Sequence, residues 1–157
     1  MIKYTGSYIT FQEVPNEVSL VLTISGCPHR CPGCHSPWLQ QDIGMELTLP
    51  ALFSEMTPYA PGFTCVCFMG DGGHPSAFDP FIEFVHACGF KVCIYTGSDH
   101  LDLDELEPRF LPDYYKVGPY VDALGGLDHP STNQHMYHLN KDGTYEDITH
   151  LFWKEKT

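Results

Sequence analysis

Basic residues are scarce in this chain. Lys and Arg together number 8 among 157 residues, against 20 Asp and Glu, so the formal charge is −12. Nucleic acids and anionic membrane surfaces are held by clusters of positive charge, so neither partner is expected. Long apolar runs are also missing, and none approaches the ~20 residues of a membrane span. The opening residues Met1-Ile2-Lys3-Tyr4 lack the apolar core of a secretory leader, so a cytoplasmic protein is expected. No phosphate loop can be argued, because Gly70-Asp71-Gly72-Gly73 lacks the Lys-Ser/Thr pair that grips the phosphates. A dinucleotide Gly-x-Gly-x-x-Gly run and a Ser-His-Asp arrangement are equally missing. The length argues against a complete barrel of eight strand–helix units, which takes about 250 residues.

Apolar residues are plentiful. They make up 43% of the chain and include ten Phe and nine Tyr, a composition that builds a core. The seven cysteines are an odd count, and three of them, Cys27, Cys31 and Cys34, fall within eight positions. In a reducing compartment they are read as ligands, reactive thiols or small buried residues, not as a disulfide framework.

Val18, Leu20, Leu22 and Ile24 alternate with Ser19, Val21, Thr23 and Ser25, the period of a strand, and the run stops at Gly26. Thr48 is placed to cap a short helix with Pro50 near its first turn and Leu49, Leu52, Phe53 and Met56 on one face. A second strand follows from Phe63 or Thr64 to Met69. Asp79 and Pro80 read as an N-cap and first-turn pair, with Ile82, Val85 and His86 at helical spacing and Gly89 as the stop. A third strand covers Phe90 to Tyr95, a weak helix Leu101 to Leu106, and a fourth strand Tyr114 to Val117. His135 to Leu139 and Tyr145 to Thr149 flank Lys141-Asp142-Gly143, a hairpin signal. Alternating strands and helices imply an α/β fold on a parallel sheet. One domain over residues 1–157 is expected, with 113–157 as a C-terminal extension carrying the hairpin.

In such a sheet the carboxyl ends of all parallel strands lie on one edge, and ligands bind there. Four strand ends run into Gly-containing turns: Gly26-Cys27, Gly70-Asp71, Thr96-Gly97 and Gly118-Pro119. They are expected to converge on one site.

The first turn carries the chemistry. Cys27-Pro28-His29-Arg30-Cys31-Pro32-Gly33-Cys34-His35 has the spacing C-x3-C-x2-C. Three thiolates on one short segment suit zinc or an iron–sulfur cluster. Structural zinc needs four protein ligands, and His29 and His35 are the nearby candidates. A [4Fe–4S] cluster normally takes four thiolates, so three leave one iron open to an outside ligand.

This spacing after a first strand resembles the radical S-adenosylmethionine (SAM) superfamily. The longer run from Gly26 to Pro37 resembles the activating proteins of anaerobic ribonucleoside-triphosphate reductase. The resemblance continues through Cys67-Phe68-Met69-Gly70-Asp71, Lys116-Val117-Gly118-Pro119-Tyr120, Leu124 to Asp128 and Thr132-Asn133-Gln134. It implies a shortened, partial (β/α) barrel and two cofactors. Cys27, Cys31 and Cys34 would hold a [4Fe–4S] cluster whose open iron takes the amino and carboxylate groups of SAM. Reductive cleavage would give a 5′-deoxyadenosyl radical that abstracts hydrogen from a glycine of the reductase catalytic subunit. A low-potential donor such as a flavodoxin or ferredoxin would supply the electron. Gly33, Cys34 and His35 would meet the adenosyl part of SAM, and Gly70, Asp71 and Gly72 the strand-end contact. The second turn departs from the family's Gly-Gly-acid: either Asp71 replaces the second glycine, or Gly72-Gly73-His74-Pro75 carries His in place of the acid.

Other features have plainer readings. Cys65 and Cys67 share a strand face and read as core residues, as do Cys88 and Cys93. Tyr95-Thr96-Gly97 reads equally as a plain strand exit or as an approach to SAM. His129, His135 and His138 read as solvent- or partner-facing. Asp99 to Glu107 reads as a solvated surface. Two rival functions stay open: radical-SAM chemistry on another glycyl-radical enzyme or a small molecule, and a non-enzymatic zinc-knuckle interaction module.

Overall fold

A computed structural model describes residues 2–26, 41, 43–70, 75–97 and 110–153. The chain order is β1 (Lys3–Thr10), β2 (Ser19–Ile24), β3 (Met45–Glu46), α1 (Leu49–Met56), β4 (Cys65–Met69), α2 (Asp79–Ala87), β5 (Lys91–Tyr95), β6 (Tyr114–Val117), β7 (His135–Leu139) and β8 (Tyr145–Asp147). All eight strands join one sheet in the order β3-β1-β2-β4-β5-β6-β7-β8. The centre, β2-β4-β5-β6, is parallel, as the strand–helix alternation requires. Both margins are antiparallel. The sheet is open, since β3 and β8 stand at opposite ends of the order.

The central strands are apolar on both sides because both faces are covered. Leu20, Leu22, Ile24, Val66, Phe68, Val92, Ile94, Tyr115 and Val117 pack with Leu52 and Met56 of α1 and Phe81, Ile82 and Val85 of α2. Phe68 lies 5.1 Å from the Phe78 ring. The alternate residues Val21, Cys65, Cys67, Cys93 and Tyr114 pack on the other face with Met136 of β7 and with Val14 and Ile148. Val14 belongs to the β1–β2 connection and Ile148 follows β8, so irregular chain covers this face.

The Thr48 cap forms as its position implies: its hydroxyl accepts the Ala51 N–H at 3.1 Å. Only Leu52 and Met56 of the expected apolar face of α1 are buried. Leu49 and Phe53 stay exposed, at 40% and 56%, because an eight-residue helix rests on the sheet along a single narrow stripe. Asp79 is not the cap of α2. Phe78 holds that position and makes no side-chain cap bond, since a 3-10 turn over Pro75–Phe78 feeds straight into the helix. Asp79 still places an acid in the first turn, where the helix dipole favours it.

Two strands escaped the sequence reading. β1 lacks a clean apolar alternation; it is held by an antiparallel ladder with β2, its Tyr4 lies in the core, and Tyr4 and Ser7 both donate to the Glu55 carboxylate of α1, at 3.1 and 2.5 Å. β3 has two residues, too short for a periodicity. The C-terminal hairpin forms, but β8 ends at Asp147 instead of Thr149. The Asp147 carboxylate accepts the Thr149 N–H at 2.9 Å and starts a 3-10 turn over Thr149–Phe152. The expected helix Leu101–Leu106 and the acidic run 99–107 lie outside the described residues.

Candidate functional site

The parallel register brings the four strand exits to one level. Thr23 of β2 pairs with Met69 of β4, Met69 with Tyr95 of β5, and Tyr95 with Lys116 of β6. The next residues, Ile24-Ser25-Gly26, Gly70, Thr96-Gly97 and Gly118, therefore share one edge. The convergence expected from the four Gly turns is present at every described position.

Each exit is fixed by its own contacts. At the first, Ser25 donates its N–H to Lys3 O at 3.0 Å and its hydroxyl to Ile43 O at 2.6 Å. The Gly26 N–H reaches Gln41 O at 3.0 Å, so residues 26 and 41 meet at this exit. At the second, Gly70 adopts φ +115°, and a Cβ there would stand 3.4 Å from both Cβ and O of Ile24. A side chain at this φ would strain the backbone, while its Cβ would only touch Ile24.

The third and fourth exits are tied together. The Thr96 N–H donates to Lys116 O at 2.8 Å. Lys116 is only 8% exposed, although ammonium groups seldom leave water. Its Nζ donates to Gly118 O at 2.8 Å and to Thr96 O at 3.4 Å, and it lies 5.8 Å from the centre of the Tyr95 ring. Thr132-Asn133-Gln134 braces the same turn. Asn133 donates to Pro119 O at 3.1 Å, and Gln134 Nε2 to Gly118 O at 3.4 Å. Gly118 has φ +101°, and a Cβ there would meet Asn133 O at 3.0 Å and Gln134 Cα at 3.1 Å. The Thr132 hydroxyl receives the Gln134 N–H at 3.0 Å and donates to Gly125 O at 3.0 Å. The three tail segments quoted for the resemblance thus meet at one brace behind the fourth exit.

Of the expected site residues, Gly70 stands on this edge. Cys27, Cys31, Gly33, Cys34, His35, Asp71 and Gly72 lie outside the described residues, as do His29, Arg30 and His74. Tyr95 is directed elsewhere than the edge: its hydroxyl donates to the backbone O of Glu13, on the face that carries no helix among the described residues. Lys116 and the Thr132–Gln134 brace were not singled out as site residues. A lone lysine in the otherwise apolar run Tyr114-Tyr115-Lys116-Val117 was the available signal.

The remaining cysteines divide. Cys65, Cys67 and Cys93 are fully buried, matching the core reading. Burial pushes the Cys65 and Cys93 thiols well up, which keeps them protonated and poor nucleophiles. Cys88 is exposed, contrary to that reading, because it sits just past the last turn of α2, where the chain swings outward to Gly89. Among the described residues no three His, Cys, Asp or Glu side chains are grouped to hold a metal. Of the tail histidines, His135 pairs with Asp147 at 2.9 Å, His129 lies 3.6 Å from Asp128, and the His138 ring lies 4.8 Å from that of Tyr114.

No protein-family model matches the chain, and no curated protein or solved structure matches it. No helix among the described residues is long and apolar enough to cross a membrane.

Proposed function

We propose that this chain is a radical-SAM activase that raises a glycyl radical on an anaerobic ribonucleoside-triphosphate reductase. The observation that carries the reading is the C-x3-C-x2-C run of Cys27, Cys31 and Cys34, which begins at the residue after Gly26. That glycine closes the first exit of the parallel edge. On this reading the open sheet is a shortened (β/α) barrel, and its edge is the floor of the cofactor site.

The described part of the edge suits such a ligand. Gly26 has open space where a Cβ would stand, with nothing within 4 Å, which permits close approach of a ligand rich in polar groups. Cys27, Cys31 and Cys34 would hold a [4Fe–4S] cluster, and Gly33, Cys34, His35 and the turn from Gly70 to Gly72 would hold SAM. When bound, the cluster and SAM supply reductive cleavage of the sulfonium C–S bond. The chain's own task is placement. The parallel ladder sets the four exits at one level, Lys116 ties the third to the fourth, Asn133 and Gln134 brace the fourth, and Ser25 holds the first to Lys3 and Ile43, so ligand groups distributed among the turns keep their spacing. A low-potential flavodoxin or ferredoxin would deliver the electron, and the reductase subunit would present the glycine.

The test is anaerobic cluster reconstitution, reduction with SAM present, and chromatography for 5′-deoxyadenosine. We expect the product from the wild type and none from Cys31→Ala. Cleavage retained by Cys31→Ala refutes the reading. Stoichiometric zinc without sulfide would favour a zinc-knuckle interaction module instead. Addition of the purified reductase then decides the target: a glycyl-radical EPR doublet is expected, and its absence from a cleaving enzyme points to another substrate.

A further inference from the structure

The second face of the sheet is closed by little. Over β4 and β5 its cover among the described residues is the β1–β2 connection, Phe11 to Glu17. Val14 is the one buried apolar side chain of that connection, and it packs with Cys67 and Cys93. Phe11 at its start is 73% exposed. The two ends are firm. The Gln12 N–H donates to the Thr10 hydroxyl at 3.2 Å, and the Val18 N–H to the Thr64 hydroxyl at 3.0 Å. Between them, the Tyr95 hydroxyl donates to Glu13 O, and Lys91 Nζ donates to Glu17 Oε1 at 3.1 Å.

The Lys91–Glu17 pair is asymmetric. Glu17 is only 7% exposed, and its Oε2 is buried without a hydrogen-bond donor among the described residues. The Lys91 side chain stays half in water. A buried carboxylate oxygen left unanswered costs free energy that water would return. Closure therefore depends on Lys91 and is opposed by the desolvation of Glu17. Segments with few buried contacts open at lower cost than the whole domain.

We propose that Phe11–Glu17 is a strap that opens as a unit while the sheet stays folded, and that the Lys91–Glu17 pair is its latch. Opening uncovers Val21, Cys67 and Cys93, which pair across β2, β4 and β5. These residues lie one alternate position below Thr23, Met69 and Tyr95, the last row before the strand exits. The strap thus decides whether solvent and small reagents reach the Cys67 and Cys93 thiols and the underside of the edge. The latch lies at the amino ends of the strands and does not depend on the radical-SAM reading.

The experiment is the rate at which iodoacetamide labels Cys93 of the full chain over hours, read by peptide mass mapping in a series of urea concentrations below the unfolding transition. Wild type, Lys91→Gln and the double variant Glu17→Gln/Lys91→Gln are compared. In the wild type we expect slow labelling whose rate hardly changes with urea, because a local opening exposes little surface. Lys91→Gln leaves the buried carboxylate unanswered and should speed labelling by about tenfold, a modest factor because Lys91 is half exposed. Removing the carboxylate as well should bring the rate back to within about threefold of wild type, a coupling that a general loss of stability does not produce. Leu52→Ala, in the core of the helical face, lowers global stability and should leave the Cys93 rate without urea within about twofold of wild type. Wild-type labelling that rises with urea as steeply as global unfolding does would overturn the strap, and this arm needs no variant to fold. A Lys91→Gln rate equal to wild type, or one that the second substitution does not reverse, would overturn the latch.

Discussion

Replacing Gly118 with Ala tests whether the fourth exit is as tightly braced as its contacts indicate. The residue has φ +101°, a conformation that L side chains rarely adopt and whose strain is on the order of 1–3 kcal/mol. A new Cβ would also press on Asn133 O at 3.0 Å and Gln134 Cα at 3.1 Å. Both neighbours are backbone, so relief must displace the brace. Displacement would weaken the Asn133–Pro119 and Gln134–Gly118 hydrogen bonds, each worth roughly 0.5–1.5 kcal/mol. The expected destabilisation is therefore about 3 kcal/mol. Gly143→Ala is the control. It has φ +87° with nothing within 4 Å, so only conformational strain of about 1–2 kcal/mol applies. Urea unfolding of both variants, compared at a shared m-value, measures the difference. A Gly118→Ala variant no less stable than Gly143→Ala would show that the exit is not braced, and the spacing argument for the edge would fall with it.

Two further outcomes follow from burial and charge. A neutral maleimide applied to the folded protein should label Cys88 and spare Cys65, Cys67 and Cys93, as read by peptide mass mapping; rapid labelling of Cys67 or Cys93 would contradict a closed second face. The Asp113 carboxylate receives the Val92 N–H and a His86 ring nitrogen, each at 2.8 Å. Burial alone would raise its pKa, but the His86 hydrogen bond, the Val92 N–H and the charges of His86 and Lys91 together hold it below the usual carboxylate value. A depressed folded pKa stabilises the protein above the ordinary Asp value of about 4, and that contribution is lost as pH falls through the folded value. Thermal melts between about pH 6 and 3 should therefore fall less steeply for Asp113→Asn than for the wild type, and identical slopes would refute the assignment.

The sequence by itself determined the four parallel strands, both helices, the hairpin and the grouping of strand exits on one edge. Each rests on local signals that tertiary packing reinforces: alternation in Val18 to Ser25, the Thr48 cap and the Asp142-Gly143 turn. The cysteine spacing, too, is purely a sequence feature. Tertiary structure decided what local pattern does not encode. β1, which no local pattern announces, joins the sheet through its antiparallel ladder with β2, and Glu55, some fifty residues away, accepts from its Tyr4 and Ser7. The Thr149 end of the hairpin is lost to an Asp147 side chain that satisfies the backbone more locally than a ladder would. Cys88 and Cys93 look alike in sequence, yet one is exposed and the other buried, because burial depends on what lies across from a residue. Lys116 is the sharpest case. In the sequence it is one of few cations in an acidic chain. Only pairing of β5 with β6, and closure of the Thr132–Gln134 brace over Gly118, turns it into a charge fixed by two carbonyls from separate strands.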